Sequence, residues 1–281
     1  MKSDKQEYNY PNLRNCTVAI IGLGYVGLPL AVEFAKRKKC FLTGQNLSRK
    51  VIGFDIDQTR LKELNNFFDR TNEISRNDLS KNIFYKLTNK IEEIINADVF
   101  IITVPTPIDK HKNPNLEALK NASIYVAKAL KIKKEKIFDS HNKIIPIVLY
   151  ESTVYPGTTE DICIPLIESE SGLKCNNSKS PKSFACGYSP ERINPGDKKH
   201  KIKDIVKVTS GSSEEVSIWI DNFYRSIISV GTFRAKSIKI AEAAKIIENT
   251  QRDINIALVN ELAIIFKLLN IDTLDVLEAA S

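Results

Sequence analysis

The 281-residue chain contains no apolar stretch of about 18 residues, the length a bilayer-spanning helix requires, so no membrane-crossing segment is expected. Its first fifteen residues, MKSDKQEYNYPNLRN, are polar and lack a signal-peptide core, which predicts a cytoplasmic protein without membrane contact. No internal repeat or low-complexity segment stands out. Cysteines are few and odd in number: Cys16, Cys40, Cys163, Cys175 and Cys186 show no close metal-type pairing. That pattern argues against a disulfide framework or a zinc site, and these five are expected as reduced thiols, with no metal bound.

What the chain does have is charge. Forty-one basic against 34 acidic residues give a formal net charge of +7 and a pI near 9.0. The lysines are scattered and include solvated clusters such as KIKKEK (131–136) and DKKHKIK (197–203). Scatter of this kind argues against a nucleic-acid partner and suits a small phosphorylated substrate. With 42% hydrophobic residues the chain can bury a core, in one large or two modest domains.

Apolar runs alternate with helical patterns along most of the length. CTVAII (16–21) reads as a buried strand, YVGLPLAVEFAKRKK as a helix and KVIGFDI (50–56) as a second strand. The pattern continues through helix QTRLKELNNFF, strand ADVFIITVP (97–105), helix LEALKNASIYVAKAL and strand KIIPIVLYEST (143–153). KSFACGYSP and DIVKVTSG read as further strands, and SSEEVSIWIDNFYRSI as the helix after them. Such alternation predicts an α/β fold, a Rossmann-like doubly wound parallel sheet, over residues 15–236, behind a mobile segment 1–14. From Ser237 the alternation stops, and roughly thirty residues of helical pattern follow without glycine or proline. Residues 237–281 are therefore expected to begin an all-α central region with a long connecting helix, whose apolar face packs on a partner.

Glycine costs stability inside a regular element, yet Gly22, Gly24 and Gly27 stand at fixed spacing between the first strand and its helix. G-x-G-x-x-G in that context is the dinucleotide-binding fingerprint: a tight turn, close approach of backbone to a pyrophosphate, and close helix–strand packing. Tyr25 and Val26 lie within it, where the helix N-terminus receives the phosphates. Asp55, ending the second strand, is placed to accept hydrogen bonds from ribose hydroxyls and to repel a 2′-phosphate, which favours NAD over NADP. Asp55 lies 28 positions after Gly27 rather than about 20 after the fingerprint, and KCFLTGQNLSRK (39–50) is expected to be a surface insertion that accounts for the excess. Arg60 would then lie near the adenosine ribose.

Three loops leave strand ends where open α/β sheets hold ligands: VPTPID (104–109), YESTVYPGTTED (150–161) and GYSPERINPGD (187–197). Composition alone leaves each either structural or functional. Pro105 and Pro107 suit turns, and Thr158 or Thr159 suits a helix cap.

In this order, GLGYVGLPLA, GFDID, VPTP, ESTVYPGTT, YSPERINPGD and AEAAKIIENTQRDINIALVNELA resemble the UDP-glucose/GDP-mannose dehydrogenase family, over residues 16–280. YSPERINPGD resembles the members that oxidise UDP-N-acetylhexosamines to uronic acids for surface polysaccharides, since Pro195 stands where UDP-glucose members usually carry a second acid. The resemblance implies two successive oxidations of a sugar C6 alcohol with two NAD reduced, through a cysteine thiohemiacetal and thioester. It implies that Thr153 and Glu191 position or activate water, that Lys245 stabilises charge on the C6 oxygen, and that Asn249 holds that oxygen or a water. Thr106 and Thr153 would also contact the cofactor. Lys245 and Asn249 are four apart, hence on one helix face, which in isolation would read as a solvated face. The resemblance further implies homodimerisation through the long helix. It places the nucleophilic cysteine, in a GGHC-like segment, and the UDP-sugar-binding third domain beyond Ser281. The chain is thus expected to be the N-terminal part of such an enzyme, or alternatively a non-catalytic NAD-binding, dimerising or regulatory protein.

Overall fold

The computed structural model describes residues 10–80, 84–137, 144–176, 182–192 and 204–280. Pro195, the cluster at 197–203 and the first nine residues of the segment expected to be mobile lie outside the described residues.

The expected alternation is present. β1 (Thr17–Ile21), α1 (Gly27–Lys36), β2 (Lys50–Phe54), α2 (Gln58–Asn65), α3 (Arg76–Leu79) and β3 (Lys86–Thr88) form the first half. β4 (Val99–Ile102), α4 (Glu117–Ile137), β5 (Ile147–Tyr150), α5 (Ile164–Ser171), β6 (Lys174–Cys175) and β7 (Ser183–Tyr188) follow. β8 (Lys207–Gly211), α6 (Glu214–Arg225), β9 (Thr232–Arg234), α7 (Ile238–Leu268) and α8 (Thr273–Ala280) complete the order. The strands lie as β3-β2-β1-β4-β5-β7-β8-β9, with β6 beside β7. β1 is flanked by β2 and β4, so the chain winds outward in both directions and leaves a crevice at the carboxyl ends of those two strands.

The residues of β1, β2, β4 and β5 are nearly all buried, as a sheet covered on both faces demands. Along β1, Ala19 and Ile21 join one core with Leu119, Val126 and Ile167 of α4 and α5. Val18 and Ile20 join the other, with Leu28 and Phe34 of α1 and Trp219 and Phe223 of α6. One pairing departs from the expected parallel sheet: β7 and β8 run antiparallel, with Gly187 opposite Gly211. α6 packs on that pair so closely that a Cβ at Gly187 would lie 2.3 Å from Ile220 Cδ1. Strand direction is not encoded in apolar alternation, so the reversal carried no sequence signal.

Residues 10–14, expected to be mobile, are tied down. Trp219 Nε1 donates to Pro11 O at 2.8 Å, Arg49 Nε donates to Leu13 O at 2.7 Å, and Ser48 N donates to Arg14 O at 2.8 Å. The expected insertion after α1 is a small hairpin-like excursion. Lys39 bridges Asn46, Gly44 turns with φ +68°, and Phe41 N donates to Ser226 O. It leaves and rejoins the sheet without shifting register, since Lys50 still pairs with Thr17.

α7 starts at Ser237, whose Oγ accepts from Ile240 N at 3.2 Å. Its 31 residues span roughly 46 Å. Only Ile238, Ala241, Glu242 and Lys245 of this helix are buried, all in its first two turns. Among the described residues no helix is long and apolar enough to cross a membrane.

Candidate active-site cleft

A cleft of about 1140 Å³ opens at the carboxyl ends of β1, β4 and β5 and is walled on one side by α7. Gly22 turns the chain out of β1 with φ +94°, its N–H donating to Phe54 O at 2.8 Å and its carbonyl accepting from Thr103 Oγ1 at 2.8 Å. The next peptide is held from both sides: Leu23 N donates to Asp55 Oδ2 at 2.8 Å, and Arg60 Nε donates to Leu23 O at 2.8 Å. At Gly24 a Cβ would meet no atom within 4 Å, so the loop presents bare backbone to open space. α1 begins at Gly27 with no side-chain cap and no acidic residue in its first turn. Leu28 N donates to Gly24 O at 3.0 Å and Pro29 has no N–H, so it is the positive end of the helix, with no acidic residue in its first turn, that suits a phosphate.

Gly22, Gly24, Tyr25, Val26, Asp55, Thr106, Thr153, Glu191, Lys245 and Asn249, all expected from the sequence, line this one cleft. Gly27 and Arg60 do not. Gly27 sits underneath, packed against Gly22 O and Thr103. Arg60 corrects the expectation of a ribose neighbour: its side chain is 4% exposed and pairs with the buried Asp69 at 2.7 Å, supporting the loop from below. Asp57 N-caps α2, accepting from Thr59 N at 2.8 Å, and pairs with Arg70 at 2.6 Å, so its carboxylate is already engaged.

The loops at 104–109 and 150–161 are stitched together. Ser152 Oγ donates to Val104 O at 2.6 Å, and Thr106 Oγ1 donates to Thr153 O. Thr159 is a cap of a different kind from the one expected: Glu242, fully buried on α7, accepts from Gly157 N at 2.6 Å and Thr159 N at 2.9 Å. The long helix thereby closes the N-terminus of the π-helical turn Thr158–Cys163 that leads into α5.

Sequence reasoning missed four groups here. Glu151 and Arg252 line the cleft, and beneath it Lys207 Nζ donates to Glu151 Oε2 at 2.6 Å and lies 3.4 Å from Glu191 Oε2. Tyr224 OH donates to the other oxygen of Glu151. The available signal was a charge at the edge of an apolar strand, as in IVLYE and KVTSG, but nothing local pairs one with the other. Burial alone would push the Lys207 ammonium down; the two carboxylates beside it outweigh that and hold it above the ordinary lysine value. Burial pushes the Glu151 carboxyl up, against the pull of Lys207. Lys245 has no such compensation: burial lowers it, Glu248 and Glu191 oppose that, and Arg252 and Lys207 add to it.

None of the five cysteines lines the cleft, and all five are free thiols. Burial pushes Cys16 up to about 11 and Cys163 and Cys175 up to about 12.

Known proteins are similar to this chain over most of its length. The chain is 50% identical over 268 residues to the UDP-N-acetyl-D-glucosamine 6-dehydrogenase of Pseudomonas aeruginosa, covering 95% of this chain and 57% of that protein. It is 51% identical over 263 residues to the protein of the same name from Salmonella typhi, covering 94% and 55%. The chain thus spans a little over half the length of these relatives. Among solved structures, the UDP-D-ManNAc dehydrogenase of Pyrococcus horikoshii aligns with a TM-score of 0.74 at 30% identity, over 94% of this chain and 57% of that one. A ternary complex of GDP-mannose dehydrogenase from Pseudomonas aeruginosa, at 24% identity and a TM-score of 0.77 over 93% and 56%, shares the fold. Residues 16–229 match the NAD binding domain of one family, and residues 239–281 match its central domain. With the glycine loop and the α7 face meeting at the junction of those two matches, the chain belongs to the UDP-glucose/GDP-mannose dehydrogenase family.

Proposed function

We propose that this protein serves in NAD-dependent oxidation of the C6 alcohol of a UDP-N-acetylhexosamine to the uronic acid, as a step toward polysaccharide. The observation that carries the reading is the placement of Lys245 and Asn249 of α7 in the same cleft as the glycine loop. A reacting alcohol and a dinucleotide would there share one enclosed space.

The residues fit the cofactor. The uncapped α1 N-terminus suits the pyrophosphate, open space above Gly24 leaves room for it, and Asp55 retains acceptor capacity for ribose hydroxyls at the end of β2. Bound NAD would accept hydride. The Lys245 amine, its proton loosened by burial, is suited to stabilise negative charge on the substrate oxygen and to exchange a proton with it. The Asn249 amide can hold that oxygen or a water. Glu191 and Thr153, on two loops facing α7, are placed to orient water.

The step to the acid also needs a thiolate, which none of the described cysteines supplies to the cleft. The alternative reading is cofactor binding without turnover. The exposed apolar residues of α7, such as Ile254, Leu258 and Ile265, support homodimerisation through that helix. The five free thiols suit the cytoplasm. Calorimetry with NAD and NADP, followed by an assay for NADH with UDP-N-acetylglucosamine, tests the proposal. NAD binding at least about tenfold tighter than NADP supports it. Absence of NAD binding would overturn both readings.

A further inference from the structure

Two carboxylates at the wall of the cleft with one buried ammonium between them require explanation, because charge buried without purpose is costly. The Lys207 side chain is 3% exposed, Glu151 0% and Glu191 9%. Glu151 is satisfied on both oxygens, by Lys207 and by Tyr224. Lys207 Nζ also lies 5.4 Å from the Tyr224 ring centroid, so the ammonium is held by a face of β8, a loop after β5 and a face of α6. Its remaining reach is toward Glu191 Oε2, while Glu191 Oε1 accepts the N–H of Arg192 at 2.6 Å. The other charged groups facing this region are Lys245 and Glu248 of α7, the latter paired with Arg192 at 3.0 Å and with Arg252 at 3.2 Å.

We propose that Lys207 is a positioning residue: anchored by Glu151 and Tyr224, it shares one ammonium with Glu191 and so fixes the orientation and charge of that carboxylate at the cleft. This inference rests on the reading of Glu191 as a working group of the site. Its logic is electrostatic. Remove the ammonium, and two neighbouring carboxylates must compete for a proton; remove the charge of Glu151, and the whole ammonium falls to Glu191.

Opposite signs are therefore expected from two substitutions, a result that loss of packing would not produce. Protein carrying carbon-13 at glutamate carboxyls is titrated by NMR, the Glu191 resonance being assigned by its loss in E191Q. In Lys207→Met the Glu191 titration moves to higher pH by about one unit or more, and in Glu151→Gln it moves to lower pH. Lys207→Arg, which keeps the charge, restores the original titration. Should Lys207→Met fail to fold, Glu151→Gln decides alone, since it leaves the ammonium in place. A Glu191 titration that is unmoved or raised in Glu151→Gln overturns the proposal, as does an equal shift in Lys207→Met and Lys207→Arg. Calorimetry of NAD binding to the unsubstituted chain checks the underlying reading separately. Lost NAD binding with the opposite-signed shifts intact would refute the function and leave the network standing.

Discussion

Gly27 has no room for a side chain: a Cβ would lie 1.9 Å from Gly22 O and 2.3 Å from Thr103 Oγ1. Gly27→Ala is expected to cost about 3 kcal/mol or more in urea unfolding, because the nearest neighbour, Gly22 O, is backbone and cannot yield. Asp55→Ala should weaken NAD binding by about 1–3 kcal/mol in calorimetry, since it removes both a ribose acceptor and the anchor of Leu23 N–H. Lys245 presents a different trade. Burial favours its neutral form, so between its lowered folded value and the ordinary 10.5 the unfolded chain binds the proton more tightly, and stability rises with pH across that window. Below the window the charged amine burdens the fold at a residue only 8% exposed. Lys245→Met is therefore expected to raise the unfolding free energy at pH 7, on the order of 1 kcal/mol, while removing any oxidation activity. The placement of Gly22, Gly24 and Asp55 in the cleft was legible because it is set by the adjoining strand and turn. Arg60 was misplaced because Asp69, the group that claims it, belongs to a loop with no periodic signal.

At the scale of elements, the Glu242 carboxylate on Gly157 N and Thr159 N is a buried joint between α7 and the segment after β5. Breaking it leaves two buried donors unsatisfied. Glu242→Ala should accelerate amide hydrogen exchange at residues 157–163 and 238–246 by about tenfold or more, with the β1 and β4 amides unchanged. Long elements were readable from pattern, α7 from its unbroken helical run and Ser237 cap, β1 and β4 from their apolar runs. The short elements α3, β3, β6 and β9, which lack a surrounding apolar run such as those of β4 and β5, were not, because so few residues establish no period. The antiparallel turn of β8 depends on pairing across the sheet, which no single segment encodes.

For the whole molecule, the most conspicuous surface is the far part of α7 and α8, where Ile254, Leu258, Ile265, Leu268 and Leu274 are exposed. Surface this apolar is where the proposed association of two copies would bury it. Ile254→Asp combined with Leu258→Asp is expected to convert a dimer to a monomer in sedimentation velocity while leaving NAD binding intact; a monomeric unsubstituted chain would refute the assembly. The start of α7 after Ser237 was visible in sequence as the end of strand and helix alternation.

Because α7 is gripped only near its start, it behaves as a lever with its fulcrum at Glu242. A rocking of about 5° would carry residue 268, nearly 40 Å along the axis, through roughly 3 Å. Lys245, one turn from the fulcrum, would move by less than about 0.5 Å. The groups that demand accuracy sit where the lever travels least, so events at its far end can be large without disturbing them.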